Sequence, residues 1–224
     1  MIRTATTDWG QLGPLLLENL WLTLYMVAVT LLVAGFLGLV FGILLYTTRR
    51  GGILQNTAVN AILNVLVNIV RPIPFIILIA ALQPVTMAVI GVTIGTTAAI
   101  FTMIVGATFG IARIVEQNLV SIDPGTIEAA RAVGASPWRI ITTLLVPEAL
   151  GPLILGYTFV FIAIVDMSAI AGSIGGRGLG DFAIVYGYGR FNWEVTIVVT
   201  IIIIVMVQLV QFFGNWLARK ALRR

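Results

Sequence analysis

Five stretches of this chain carry no charged side chain at all. Asn19–Thr48, Gly51–Val70, Pro72–Ala112, Ala149–Val165 and Val195–Ala218 contain no Asp, Glu, Lys or Arg. A helix that crosses a bilayer needs about 20 mostly apolar residues. Hydrocarbon offers no partner to a backbone N–H or C=O, so continuous apolar runs of this length are helices, whereas a barrel would show short alternating strands. Composition agrees: 59% of residues are hydrophobic and 10% charged, against about 45–50% and about 25% in ordinary globular domains. A soluble domain of 224 residues has too much surface for its volume to hide that apolar content. The chain reads as an all-α integral membrane protein.

Charge and proline placement predicts five spans, over about 18–47, 55–81, 85–112, 148–171 and 194–218. Pro72–Ala112 is too long for one crossing, and Gln83-Pro84 supplies a turn within it, because proline lacks an N–H and clashes with the preceding turn. Arg71-Pro72-Ile73-Pro74 should kink the second span, by packing rather than by contact with a solute. Basic residues collect on one side: Arg49, Arg50, Arg113, Arg131, Arg139, Arg219, Lys220, Arg223 and Arg224, against Arg3, Arg177 and Arg190, with Arg71 inside the second span. The positive-inside rule then puts the N-terminus outside and the C-terminus in the cytoplasm. Trp9, Trp21 and Tyr25 form an aromatic belt near the outer end of the first span, and the basic C-terminus anchors to anionic lipid. Gly35, Gly38 and Gly42 mark close helix packing.

The absences exclude whole chemistries. No Cys and no His are present, so zinc, thiol and imidazole chemistry are gone, and no metal site or catalytic residue is expected. The only lysine is Lys220, so G-x-x-x-x-G-K-[ST] cannot occur and any ATP that drives the protein is bound by another subunit. The Gly-rich run 172–180 lacks a lysine and follows a membrane helix on the outer side, which argues against a phosphate loop.

The long loop at about 113–147 has its own character. Asp123 is a helix N-cap with Pro124 at the first position, Gly134 stops the helix, and Ser136-Pro137 starts a second one. Ala129, Ala130 and Gly134 leave little side chain around the bend, so a partner can approach the backbone. Glu128-Ala129-Ala130, Gly134 four residues on, and Leu144-Leu145-Val146-Pro147 resemble the E-A-A-x3-G-x9-I-x-L-P signature of ATP-binding-cassette importer permeases. Leu144 and Val146 replace the usual Ile and Leu. The resemblance implies a type I importer permease fold over a single domain, 1–224. It makes this cytoplasmic loop a coupling helix that docks in a cleft of the ATPase through Glu128, Ala129, Ala130, Gly134, Ala135 and Pro137.

A closer resemblance covers nearly the whole chain. Ser168-Ala169-Ile170-Ala171-Gly172-Ser173-Ile174-Gly175-Gly176-Arg177-Gly178-Leu179-Gly180, Tyr186-Gly187-Tyr188 and Val210-Gln211-Phe212 look like the methionine-importer permease family. That resemblance implies a bacterial cytoplasmic-membrane homodimer translocating an amino acid, methionine in D- or L-form, by alternating access. Its partners would be two ATPase subunits, which bind ATP and Mg, and an extracytoplasmic substrate-binding protein, free or lipid-anchored; no nucleic acid is implied, and the chain itself is not an enzyme. It also implies a gate at Ile170, where one large apolar side chain meets its twin on the dimer axis, with Met167 and Asp166 on the same stretch. A carboxylate at membrane depth costs about 2.5–3.5 kcal/mol on insertion scales. Asp166 therefore faces a wet pathway, pairs with Arg71, meets a substrate ammonium, or is hydrated at the outer interface. Two other classes stand beside the importer: a proton-coupled secondary transporter using Asp166, and a membrane scaffold without solute flux.

Overall fold

The computed structural model describes residues 7–222. Arg3, Arg223 and Arg224, counted above among the topology-setting charges, lie outside them. The described residues form α1 (Trp9–Thr48), α2 (Thr57–Val70), α3 (Phe75–Ile90), α4 (Thr96–Val120), α5 (Pro124–Ala132), α6 (Pro137–Ile140), α7 (Val146–Glu148), α8 (Leu150–Ala171), α9 (Leu179–Phe182) and α10 (Trp193–Leu222). Among the described residues there is no strand. α1, α4, α8 and α10 are each long and apolar enough to cross a membrane, while α2 and α3 qualify only together, as a broken span or a re-entrant loop.

Two expectations about the spans are corrected. The second span is not one kinked helix: α2 makes its last backbone bond from Arg71 N–H to Val67 O, and the chain then breaks. Pro72 and Pro74 remove two donors within three residues, and Pro74 becomes the cap whose carbonyl accepts from Ile77 and Leu78. Arg71 accordingly stands at the end of α2, at the break between α2 and α3. Nor is there a turn at Gln83-Pro84, since Pro84 lies within α3. That connection falls later, at Gly91–Gly95, where Gly91 (φ 83°) and Gly95 (φ 109°) hold backbone conformations that favour glycine. The third span starts at Thr96, not 85.

The chain divides into two compact units. The first takes residues up to Val33, Ile73–Gly106 and Phe161–Val210. Its core joins the start of α1, α9 and the start of α10 through Leu16, Leu179, Phe182, Val195 and Val199. The Gly-rich stretch after α8 is compact: the chain kinks at Ile174 and Gly175 (φ 101°), passes Arg177 into α9, and continues through a wide helical turn at Ala183–Gly187. Side chains of α1 take the orphan donors at its centre. Asn19 Oδ1 accepts from Gly178 N–H (2.9 Å) and Thr23 Oγ1 from Leu179 N–H (2.8 Å), both buried. Glu18 pairs with Arg177 at 2.7 Å. Backbone packs on backbone here, for a Cβ on Gly180 would strike Ala169 O and stand 2.5 Å from Ala169 Cα.

The second unit takes Ala34–Pro72, Ala107–Val160 and the chain from Gln211 onward. Gly38 and Gly42 let α1 lie against α4, since a Cβ on either would stand 2.5 Å from Ile111 or Val115. Gly35 lies against Tyr157 of α8, whose hydroxyl donates to Gly35 O at 2.7 Å. Leu45, Leu63, Val67 and Ala112 are the buried centre, with the Phe41 and Phe109 rings stacked beside it, 6.2 Å between centroids.

Candidate functional site

The segment between α4 and α8 is built by local capping. Asp123 Oδ1 accepts from Gly125 N–H at 2.8 Å, and Pro124 occupies the first helical position, where a missing N–H costs nothing. α5 ends in a left-handed glycine. Gly134 has φ 76°; its N–H bonds Arg131 O (2.9 Å), and Ala135 N–H bonds Ala130 O (3.1 Å). These are the two closing bonds of a Schellman cap, which only a residue free of Cβ strain adopts cheaply. Ser136 Oγ then accepts from Arg139 N–H and opens α6. From Ile141 to Leu145 the helix widens to a π-turn, with Val146 N–H reaching back to Ile141 O just before Pro147. The capping expectations at Asp123, Gly134 and Ser136 are met residue by residue.

The segment is open, and it exposes large apolar side chains among charged ones. Val133 is 83% exposed and Trp138 is 73% exposed, on either side of Gly134. Glu128, Ala129, Gly134 and Pro137 are exposed and Ala130 and Ala135 half-buried. Exposed Val133 and Trp138, flanking a short capped bend, are large apolar side chains of the kind found at protein or membrane interaction sites. No heavy atom outside the neighbouring residues comes within 4 Å of where a Gly134 Cβ would stand.

Asp166, Met167 and Ile170 lie in the first unit, near the end of α8. Asp166 and Ile170 are four residues apart and share a helix face. Asp166 is exposed and Ile170 half-buried in the single protomer. Met167 points elsewhere: its methyl lies 3.0 Å from where a Gly106 Cβ would be, against α4. Among the described residues no group of three or more carboxylate, His or Cys side chains gathers to hold a metal.

Sequence reasoning missed a polar network in the second unit. Arg113 of α4 donates to Asn68 Oδ1 (2.8 Å) and Asn64 Oδ1 (3.3 Å) and pairs with Glu116. Asn64 Nδ2 donates to Asn60 O (3.0 Å), and Asn60 Nδ2 donates to Leu45 O at the end of α1 (2.9 Å). The signal was present: three asparagines spaced four apart in an otherwise apolar run fall on one helix face.

The helical architecture, the family model and the relatives together make this chain a membrane-embedded permease component of the ATP-binding-cassette importer class. The chain belongs to the family described as binding-protein-dependent transport system inner membrane component, whose model matches residues 38–223. It is 42% identical over 214 residues to the probable D-methionine transport system permease protein MetI of Vibrio cholerae, covering 95% of each chain. It is also 42% identical over 172 residues to the methionine import system permease protein MetP of Bacillus subtilis, covering 77% of this chain and 78% of that one. A solved inward-facing structure of the MetNI methionine ABC transporter, in its native CY5 crystal form, has a matching chain with a TM-score of 0.91 at 39% identity, over 96% of this chain and 99% of that one. A permease of this family is not itself an enzyme. The proton-coupled alternative finds no support in any of these likenesses.

Proposed function

We propose that this chain carries methionine, in D- or L-form, across the bacterial cytoplasmic membrane as one half of a permease homodimer. Two ATPase subunits bind ATP and Mg and drive alternating access, and an extracytoplasmic binding protein delivers the solute. The N-terminus lies outside and the C-terminus in the cytoplasm, and the whole chain, 1–224, works as one permease domain with its coupling loop at about 113–147. The observation that carries this reading is the capped bend from α5 to α6 with Val133 and Trp138 exposed beside it. Glu128, Ala129, Ala130, Gly134, Ala135 and Pro137 form the ATPase-docking face. The methionine specificity is supported by the names of the relatives across nearly the full chain. Ile170 is the gate of the translocation pathway, with Asp166 on the same helix face and Met167 on the same stretch of α8.

Gly134→Trp tests the coupling assignment. The empty space at Gly134 means the fold itself bears only the left-handed backbone strain, while the indole blocks a docking surface. The variant should insert normally yet fail to co-purify with the ATPase or to show methionine-stimulated ATP turnover. Wild-type assembly and turnover would remove the assignment.

A further inference from the structure

α1 reaches the end of its apolar stretch at Thr48 and is followed at once by Arg49 and Arg50, then by the turn Gly51-Gly52. Gly52 closes that turn so tightly that a Cβ would strike Thr47 O. α5 lies across from this corner. Pro124, Ile127, Glu128 and Arg131, at i, i+3, i+4 and i+7, form one stripe of α5 and line a cleft whose other wall is Tyr46, Arg49 and the glycine turn. The cleft is open to solvent on one side and has a cavity volume of about 90 Å³.

Its charge is unbalanced. Arg49 and Arg131 form no ion pair among the described residues, and Glu128 supplies the one carboxylate in the lining. The Arg49 guanidinium lies over the Tyr46 ring, 4.1 Å from its centroid. Stacking engages the face of a guanidinium and leaves its N–H edge free for an anion. Tyr46 is buried and holds the guanidinium in place, so little rotamer freedom is left to lose on binding.

We propose that this cleft binds the phosphate of an anionic phospholipid headgroup, held between Arg49 at the end of α1 and Arg131 on α5. Depth selects the ligand. Arg49 is the first charged residue after the uncharged run Asn19–Thr48, the position at which basic residues follow a span at headgroup level, and lipid phosphate is the anion most concentrated there. Guanidinium groups match phosphate oxygens in a two-pronged geometry that an ammonium does not offer. Ala129 and Val133 lie on other faces of α5, whereas Glu128 belongs both to the cleft and to the ATPase-docking face, so the cleft is probed with the chain free of the ATPase. The inference stands on the cleft and its charges, not on the identity of the transported solute.

The full-length chain, purified without the ATPase in non-ionic detergent, is titrated with phosphatidylglycerol and with phosphatidylcholine, and bound lipid is counted by native mass spectrometry. Each headgroup-level arginine strengthens an anionic-lipid contact by about five-fold, so Arg131→Gln should weaken the tightest phosphatidylglycerol site about five-fold and Arg49→Gln/Arg131→Gln about 25-fold. Phosphatidylcholine binding should not change. Arg219→Gln/Lys220→Gln, at the basic C-terminus, should leave that tightest site intact. Glu128→Gln removes the competing carboxylate and should tighten the site, a gain that a misfolded variant cannot imitate. The proposal is overturned if the wild-type chain shows no preference for phosphatidylglycerol, if the double arginine variant keeps it, or if Glu128→Gln fails to strengthen it. Displacement of the lipid by equimolar inorganic phosphate would assign the cleft to a soluble anion and overturn it equally.

Discussion

Gly180 has no room for a methyl group, and Gly110, in α4 with nothing within 4 Å of its missing Cβ, has plenty. The pair separates packing from helix propensity at single-residue resolution. Gly180→Ala drives a Cβ into the Ala169 backbone, which cannot rotate away as a side chain would, and should cost about 1–3 kcal/mol. Gly110→Ala should be neutral or stabilising by about 0.5–1 kcal/mol, as alanine replaces glycine inside a helix. Thermal unfolding of the purified chain measures both; equal midpoints would mean that α9 does not hold its place against α8. Arg113 is the second such residue. Its side chain is 18% exposed and that of Glu116 is 16% exposed, so removing one partner strands the others. Arg113→Met should lower stability by about 1–3 kcal/mol, and adding Glu116→Gln should return part of the loss. A double variant no more stable than the single would show that Glu116 does not depend on Arg113.

At the scale of the element, α5 is the most dependent on its ends. Nine residues with no buried side chain are too few to hold a helix in water by propensity alone. The Asp123 cap and the Gly134 closure therefore carry it. Asp123→Ala removes the acceptor for Gly125 N–H and should cost about 1 kcal/mol. Hydrogen exchange across Pro124–Ala132 should speed up with little change in α4; unchanged exchange would mean that tertiary contacts, not the cap, hold α5. These ends were legible in the sequence because capping is local chemistry, written within four residues. The breaks between spans were less legible. Pro84 reads as a stop but sits inside α3, since a membrane helix tolerates one missing donor when its surroundings satisfy the freed carbonyl. The actual connection was marked by Gly91 and Gly95, whose positive φ angles leave no apolar signature. Pro72 and Pro74 together went further than a kink because two donors vanish within one turn. α2 was hardest of all. It buries only Leu63 and Val67, and its asparagine ladder becomes meaningful only once Arg113 is known to stand opposite.

At the scale of the whole molecule, one protomer leaves a great deal of apolar surface uncovered. Ile62, Val65 and Ile69 of α2 and Ile197, Ile201 and Ile204 of α10 are all exposed, as faces meant for lipid or for another helix would be. The spanning helices were readable from the uncharged runs and the family from the motif between Glu128 and Pro147, whereas contacts between two copies leave no mark in a single sequence. Cysteine placed at Ile170 in this Cys-free chain tests those contacts. Cross-linking between copies should be efficient without nucleotide and fall when ATP closes the ATPases; its absence in both states, with transport intact, would put Ile170 off the axis. The glycine-dense segment after α8 bears on how such a protein records its own history. Gly172, Gly176, Gly178 and Gly180 each face an atom within 3 Å of their missing Cβ. In a library of random variants these positions would look as unforgiving as a binding site. Their intolerance would track side-chain volume and ignore polarity, which tells a mechanical joint apart from a chemical one without any ligand in hand.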